Sequence, residues 1–189
     1  MSRAALWWAA GLIGCSGCAT SETLSLARQP ATGAQIEQVL AAARESGIRN
    51  GAVFAEHSAR IDRDGQPIGL LVSGRGVVKD ASRENSNCFL AFIKVAGKVD
   101  LIRTIGAGEW EAESCLALQA IGVVRRSGAT AQSHIGLVYK ASSPNAVAIE
   151  PVVLRWEPRE ATLRLDEAAS RQASLAGAAS LLDISRALQ

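Results

Sequence analysis

Reactive side chains are scarce in this chain. It has two histidines, His57 and His134, and four cysteines, Cys15, Cys18, Cys88 and Cys115. Each histidine adjoins a serine, Ser58 and Ser133, in strand-like sequence. A serine nucleophile needs a base within hydrogen-bond reach and a third group to orient that base, and such triads assemble in space rather than along the chain. A hydrolase using a strand-borne His57 or His134 is therefore one reading, and two ordinary strand histidines is the other. HExxH, GxSxG, SxxK and CxxCH are all absent, so the local signatures of zincins, α/β-hydrolases, Ser-Lys enzymes and c-type haem are missing. No metal and no cofactor is expected. Cys15 and Cys18 have a metal-like spacing, but no further Cys or His lies nearby to complete a zinc site.

Three other stretches invite a chemical reading. Ser73-Gly74-Arg75-Gly76 resembles half of a phosphate loop but lacks the GxGxxG spacing and a following helix, so a close-packed strand explains its glycines better. Asp62-Arg63-Asp64-Gly65 has the look of a calcium loop, yet Gly stands fourth and Ser73 twelfth where an EF-hand needs Gly sixth and Glu twelfth; a hairpin turn is expected. Gly106-Ala107-Gly108-Glu109-Trp110-Glu111-Ala112-Glu113 sets a tryptophan among acids just before Cys115. Tryptophan is enriched at binding hot spots, so Glu109, Trp110 and Glu111 form a candidate partner-binding edge; packing of Trp110 on a sheet is the alternative.

The amino terminus bears on the compartment. Arg3 precedes an apolar run, Ala4 to Gly14, too short for a membrane span of about 20 residues but of the length of a secretory signal. Leu12-Ile13-Gly14-Cys15 at its end resembles the lipobox of bacterial lipoproteins. The resemblance covers this segment alone and says nothing of the fold. It implies that Cys15 becomes a diacylglyceryl cysteine and the new N-terminus, anchoring the protein in a membrane. Cys18 is a poorer second candidate, and Gly17-Cys18-Ala19 would also serve as an ordinary cleavage site, leaving a soluble periplasmic protein. In the enterobacterial members of the lipoprotein class an aspartate after the cysteine marks inner-membrane retention. Ser16 and Ala19 are not aspartate, so the resemblance implies an outer-membrane protein facing the periplasm, if the host has two membranes.

Export changes the reading of the remaining thiols. An even pair left in an exported domain, Cys88 and Cys115, is expected to form a disulfide, with two buried free thiols as the alternative. The net charge of +2 includes Arg3, so the mature domain is nearly neutral and carries no excess of basic residues of the kind that binds nucleic acid. Apolar residues make up 48 % of the chain, enough for a core.

The elements follow from spacing. The lipobox resemblance implies residues 1–14 as the signal peptide and residues 15–31 as the lipidated cysteine and a polar tether. Residues 32–189 form a single domain. Thr32 and Gln35 have capping-box spacing before the apolar face Ile36, Val39, Leu40 and Ala43, with Gly47 as the stop. Strand-like runs follow at Val53–Ile61, Ile68–Val78, Cys88–Val95, Val99–Ile105, Ser133–Lys140, Ala146–Trp156 and Ala161–Leu165, while Glu109–Val124 is open between helix and strand. Asp166 caps a final helical segment that Gly177 bends or divides. The expected fold is α+β: an antiparallel β-meander of about six to seven strands flanked by an N-terminal and a C-terminal helix. The functional expectation is an envelope lipoprotein acting as a non-enzymatic binding or accessory module toward a protein or cell-wall component, including inhibition of a secreted enzyme. The alternative is the periplasmic hydrolase.

Overall fold

The computed structural model describes residues 22–79, 84–125, 133–143 and 145–189. The signal segment, Cys15 and Cys18 lie outside the described residues. Antiparallel sheets with segregated helices make the architecture α+β. There is more than one meander, however. Ten strands among the described residues form two sheets, against the six or seven strands expected of one.

The first sheet contains β1 (Leu24–Arg28), β2 (Ile48–Val53), β3 (Ala59–Arg63), β4 (Gln66–Lys79), β5 (Glu84–Lys94) and β6 (Val99–Arg103). Its order is β1-β3-β4-β5-β6, with β2 pairing β4 beyond the end of β3. The second contains β7 (Ser114–Arg125), β8 (Ser133–Ser142), β9 (Val147–Glu157) and β10 (Thr162–Leu165) in the order β10-β9-β8-β7. Helix α1 (Gly33–Glu45) lies on the first sheet, and α2 (Glu167–Leu175) and α3 (Leu181–Ala187) on the second.

The alternation of side chains along each strand builds four layers. Leu71, Leu90 and Phe92 point inward to meet Leu137, Tyr139, Val152 and Leu154 in the core between the sheets. Their neighbours Leu70, Val72, Phe89 and Ala91 point the other way, onto Val39 and Ala43 of α1. In the second sheet Val138 and Val153 likewise turn outward to Ala169, Ala173 and Ile184. The central strands are thus covered on both faces, giving the order helix, sheet, sheet, helices. Phe92 and Trp156 meet edge to face across the sheets, with ring centroids 6.1 Å apart. Ser73 Oγ and Tyr139 OH, 3.2 Å apart, share a buried hydrogen bond over the same gap.

Local signals hold where they are local. Thr32 accepts from Gln35 N while Gln35 Oε1 accepts from Thr32 N, closing the capping box. Asp64 and Gly65 turn β3 into β4 with φ of 50° and 78°, the left-handed pair of a two-residue hairpin. Asp166 caps α2 by accepting from Ala169 N at 3.0 Å. A Cβ on Gly74 would stand 2.6 Å from Ala52 O, so this glycine lets β2 approach β4 and cradles no phosphate.

Two expectations change. The stretch assigned to the tether contains β1, which pairs with β3 along Leu24↔Arg63 to Arg28↔Ala59 and buries Leu24. Five residues with two leucines carry little local signal; pairing to the edge of β3 makes them a strand. The predicted strand Val53–Ile61 is interrupted by a 3-10 turn at Ala55–His57, which separates β2 from β3. The open segment before Val124 resolves into a 3-10 turn, Gly108–Trp110, and then β7. Gly177, with φ of 68°, divides the C-terminal helical segment into α2 and α3.

Candidate functional site

The two sheets are joined along two seams. Along one, Thr162 Oγ1 of β10 donates to Asp100 Oδ2 of β6 at 2.8 Å, and Lys94 Nζ reaches the same carboxylate at 2.7 Å. These contacts hold the Asp100 carboxyl below its ordinary range even though partial burial opposes them. Along the other, β7 approaches the β1 edge. The register of β7 against β8 shifts between Cys115 and Ala117 and between Leu118 and Ala120, irregularities of the kind that bend a strand. There Arg75 Nη1 donates to Leu116 O and Ser86 Oγ to Cys115 O, both at 3.1 Å, so side chains from one sheet satisfy backbone of the other.

A cleft of about 310 Å³ opens on this second seam. Leu26 of β1 and Ala120 and Ile121 of β7 form an apolar floor, and Arg28, Glu56 and His57 bring polar groups to it. Gln29 N donates to Ser58 O at 3.1 Å, which ties β1 to the turn that carries His57. The sequence marked His57 and Ser58 as neighbours. It gave no sign of Arg28 or of the floor, because residues about ninety positions apart meet there only after the sheets have packed.

The cleft can bind more readily than it can catalyse. His57 Nε2 stands 3.9 Å from Glu56 Oε1, beyond hydrogen-bond range. Ser58 Oγ is buried without a hydrogen-bond partner, so His57 does not activate it here. His134 does not line this cleft: its side chain is fully buried on β8, with Nε2 3.5 Å from Asp166 Oδ2 at the start of α2. Among the described residues, no group of three or more His, Cys, Asp or Glu is placed to hold a metal.

At the far end of the sandwich the structure brings the other predicted residues together. Cys88 of β5 and Cys115 of β7 form a disulfide between the sheets, with Cα atoms 5.2 Å apart. The loop Gly106–Glu113 closes on itself beside it: Gly106 N and Glu113 N both donate to Trp110 O at 3.0 Å, and buried Asn87 Nδ2 donates to Gly106 O. Trp110 is 5 % exposed and belongs to the core between the sheets, so its indole is a packing element and is not displayed to a partner. Glu109 forms an ion pair with Arg171 of α2, and Glu111 is exposed.

Glu113, which the sequence did not single out, is the unusual acid of this loop. Its Oε2 is buried without a hydrogen-bond partner. Burial first, and then the Glu150 carboxylate on β9, push its pKa up to about 7 from an ordinary 4.5. The unfolded chain therefore releases this proton before the folded one does. The stabilising contribution is full below pH 4.5 and is lost as pH rises through about 7. Melting temperatures measured from pH 5 to pH 8 are expected to decline, and Glu113→Gln is expected to flatten that decline. Parallel profiles for variant and wild type would show that Glu113 ionises normally.

No family model, curated protein or solved structure matches the chain.

Proposed function

We propose that the chain is an exported lipoprotein of the cell envelope whose sandwich domain acts by binding, with Cys15 as its anchor and a protein or cell-wall component as its partner. The observation that carries this reading is the inter-sheet disulfide Cys88–Cys115 behind an LIGC segment. Disulfides of this kind persist in oxidising compartments, and the lipobox-like segment supplies a route there. The cleft between β1 and β7 supports binding over catalysis. Its volume lies at the small end of ligand sites, it has an apolar floor with a polar rim, and its serine and histidine are not coupled. Outer-membrane residence facing the periplasm belongs to the same proposal.

Cys15→Ala tests the anchor. Expressed in a bacterial host and separated into membrane and soluble fractions, wild-type protein is expected with the membranes. The variant is expected to be soluble or to remain as an unprocessed precursor. Two acyl chains anchor a protein stably where one holds it only marginally, so loss of the diacylglyceryl group removes the anchor of the processed protein. Unchanged membrane association and acylation of the variant would move the anchor to Cys18.

A further inference from the structure

Glu22 is seven residues beyond Cys15 and is already fixed to the folded domain. Trp156 Nε1 donates to Glu22 Oε2 at 3.1 Å, Arg63 Nη1 stands 3.9 Å from Glu22 Oε1, and Thr23 N donates to Asp64 Oδ1 at 2.8 Å. All of these contacts are at one pole of the sandwich, where β1 begins, β3 turns into β4 and β9 turns into β10. The β5–β6 turn, Val95 to Lys98, is at the same pole, because Gly69 near the start of β4 pairs with Lys94. The opposite pole carries the disulfide, the Gly106–Glu113 loop and the turn from β8 to β9.

We infer that the pole bearing Val95, Lys94, Lys98 and Arg159 is the membrane-facing surface of the protein, and that its partner is an anionic bilayer surface. The inference rests on the proposal that Cys15 is the lipidated residue. Seven Cα–Cα steps reach about 24 Å when fully extended. The ten steps along the eleven residues of β9 already span about 34 Å, so the link is shorter than the domain is long. The pole that holds Glu22 therefore stays within about 24 Å of the bilayer, and the chemistry of its surface bears on which way it faces.

The chemistry of the near pole suits that position. Val95 is 72 % exposed at the tip of the β5–β6 turn. Lys94 and Lys98 flank it and share the single carboxylate of Asp100, at 2.7 and 3.5 Å, which leaves net positive charge around an apolar tip. Arg159 is exposed on the neighbouring β9–β10 turn. The acids of this pole are largely matched, Glu160 by Arg164 and Glu22 by Arg63, so an exposed aliphatic tip with Lys98 and Arg159 nearby fits the boundary between acyl chains and anionic headgroups.

Position-specific quenching tests the orientation. The full chain with Cys18→Ser, purified in its lipidated form, receives one added cysteine, Val95→Cys at the near pole or Val147→Cys at the far one. Val147 is 59 % exposed, so neither change disturbs the core. Each cysteine carries an environment-sensitive fluorophore, and the protein is reconstituted in phosphatidylglycerol–phosphatidylethanolamine vesicles containing a headgroup-level quencher lipid. The label at 95 is expected to be quenched several-fold more than the label at 147. Equal quenching, or stronger quenching at 147, in protein that floats with the vesicles overturns the orientation while leaving the anchor intact. Protein that does not float, and whose Cys15 carries no acyl group, overturns the anchor and the orientation together.

Discussion

Trp110→Ala is expected to lower the melting temperature by about 10 °C or more. The indole is 5 % exposed and packs among the residues between the two sheets, so truncation leaves a cavity that a strand core refills poorly. Burying and then deleting a ring of this size costs about 3–5 kcal/mol, and each kcal/mol moves the transition of a domain of this size by roughly 2–4 °C. The loop itself adds to the effect. The buried indole holds in place the turn whose backbone Gly106 N and Glu113 N bond at Trp110 O, so its loss loosens the segment leading into Cys115. A variant that melts with the wild type would place the indole at the surface. It would also restore Glu109, Trp110 and Glu111 as a recognition edge.

Removing the disulfide is expected to have an effect of similar size. Cys88 and Cys115 are 27 positions apart, and the chain-entropy relation for a loop of this length gives about 3.5 kcal/mol. The bridge has a local role as well. It pins the bent start of β7 to β5 beside the Ser86–Cys115 hydrogen bond, at the pole where the two sheets have no backbone ladder between them. The double variant Cys88→Ala, Cys115→Ala avoids leaving a lone thiol. It is expected to fold, to melt about 10 °C below the wild type, and to be insensitive to a reducing agent that destabilises the wild type. If reductant leaves the wild-type melting temperature unchanged, the two thiols are not bonded in the protein as isolated.

What could be read from the sequence was what neighbouring residues decide among themselves. The Thr32–Gln35 box, the Asp64–Gly65 turn and the Asp166 cap each need three or four residues, and each forms as spaced. The layering was less accessible. Stretches such as Leu70-Leu71-Val72 and Phe89-Leu90-Ala91-Phe92 are apolar at every position, which is what a strand covered on both faces requires. A run apolar on both faces does not say which sheet it belongs to, so two stacked sheets read as one meander. β1 was hidden because five residues acquire their conformation only from the edge of β3. Trp110 is ambiguous for a related reason: a tryptophan among glutamates looks exposed until the loop folds its ring under the sheet. The cleft needed Leu26 and Ile121 to meet across a seam, and no local pattern encodes that meeting.

Lipid anchoring at Cys15 is tested most directly by mass analysis of the mature amino-terminal peptide. Protein purified from host membranes is expected to begin at Cys15, with the added mass of a diacylglyceryl group on that residue. A mature chain that begins at any other residue without a lipid, or one acylated at Cys18 alone, would contradict it.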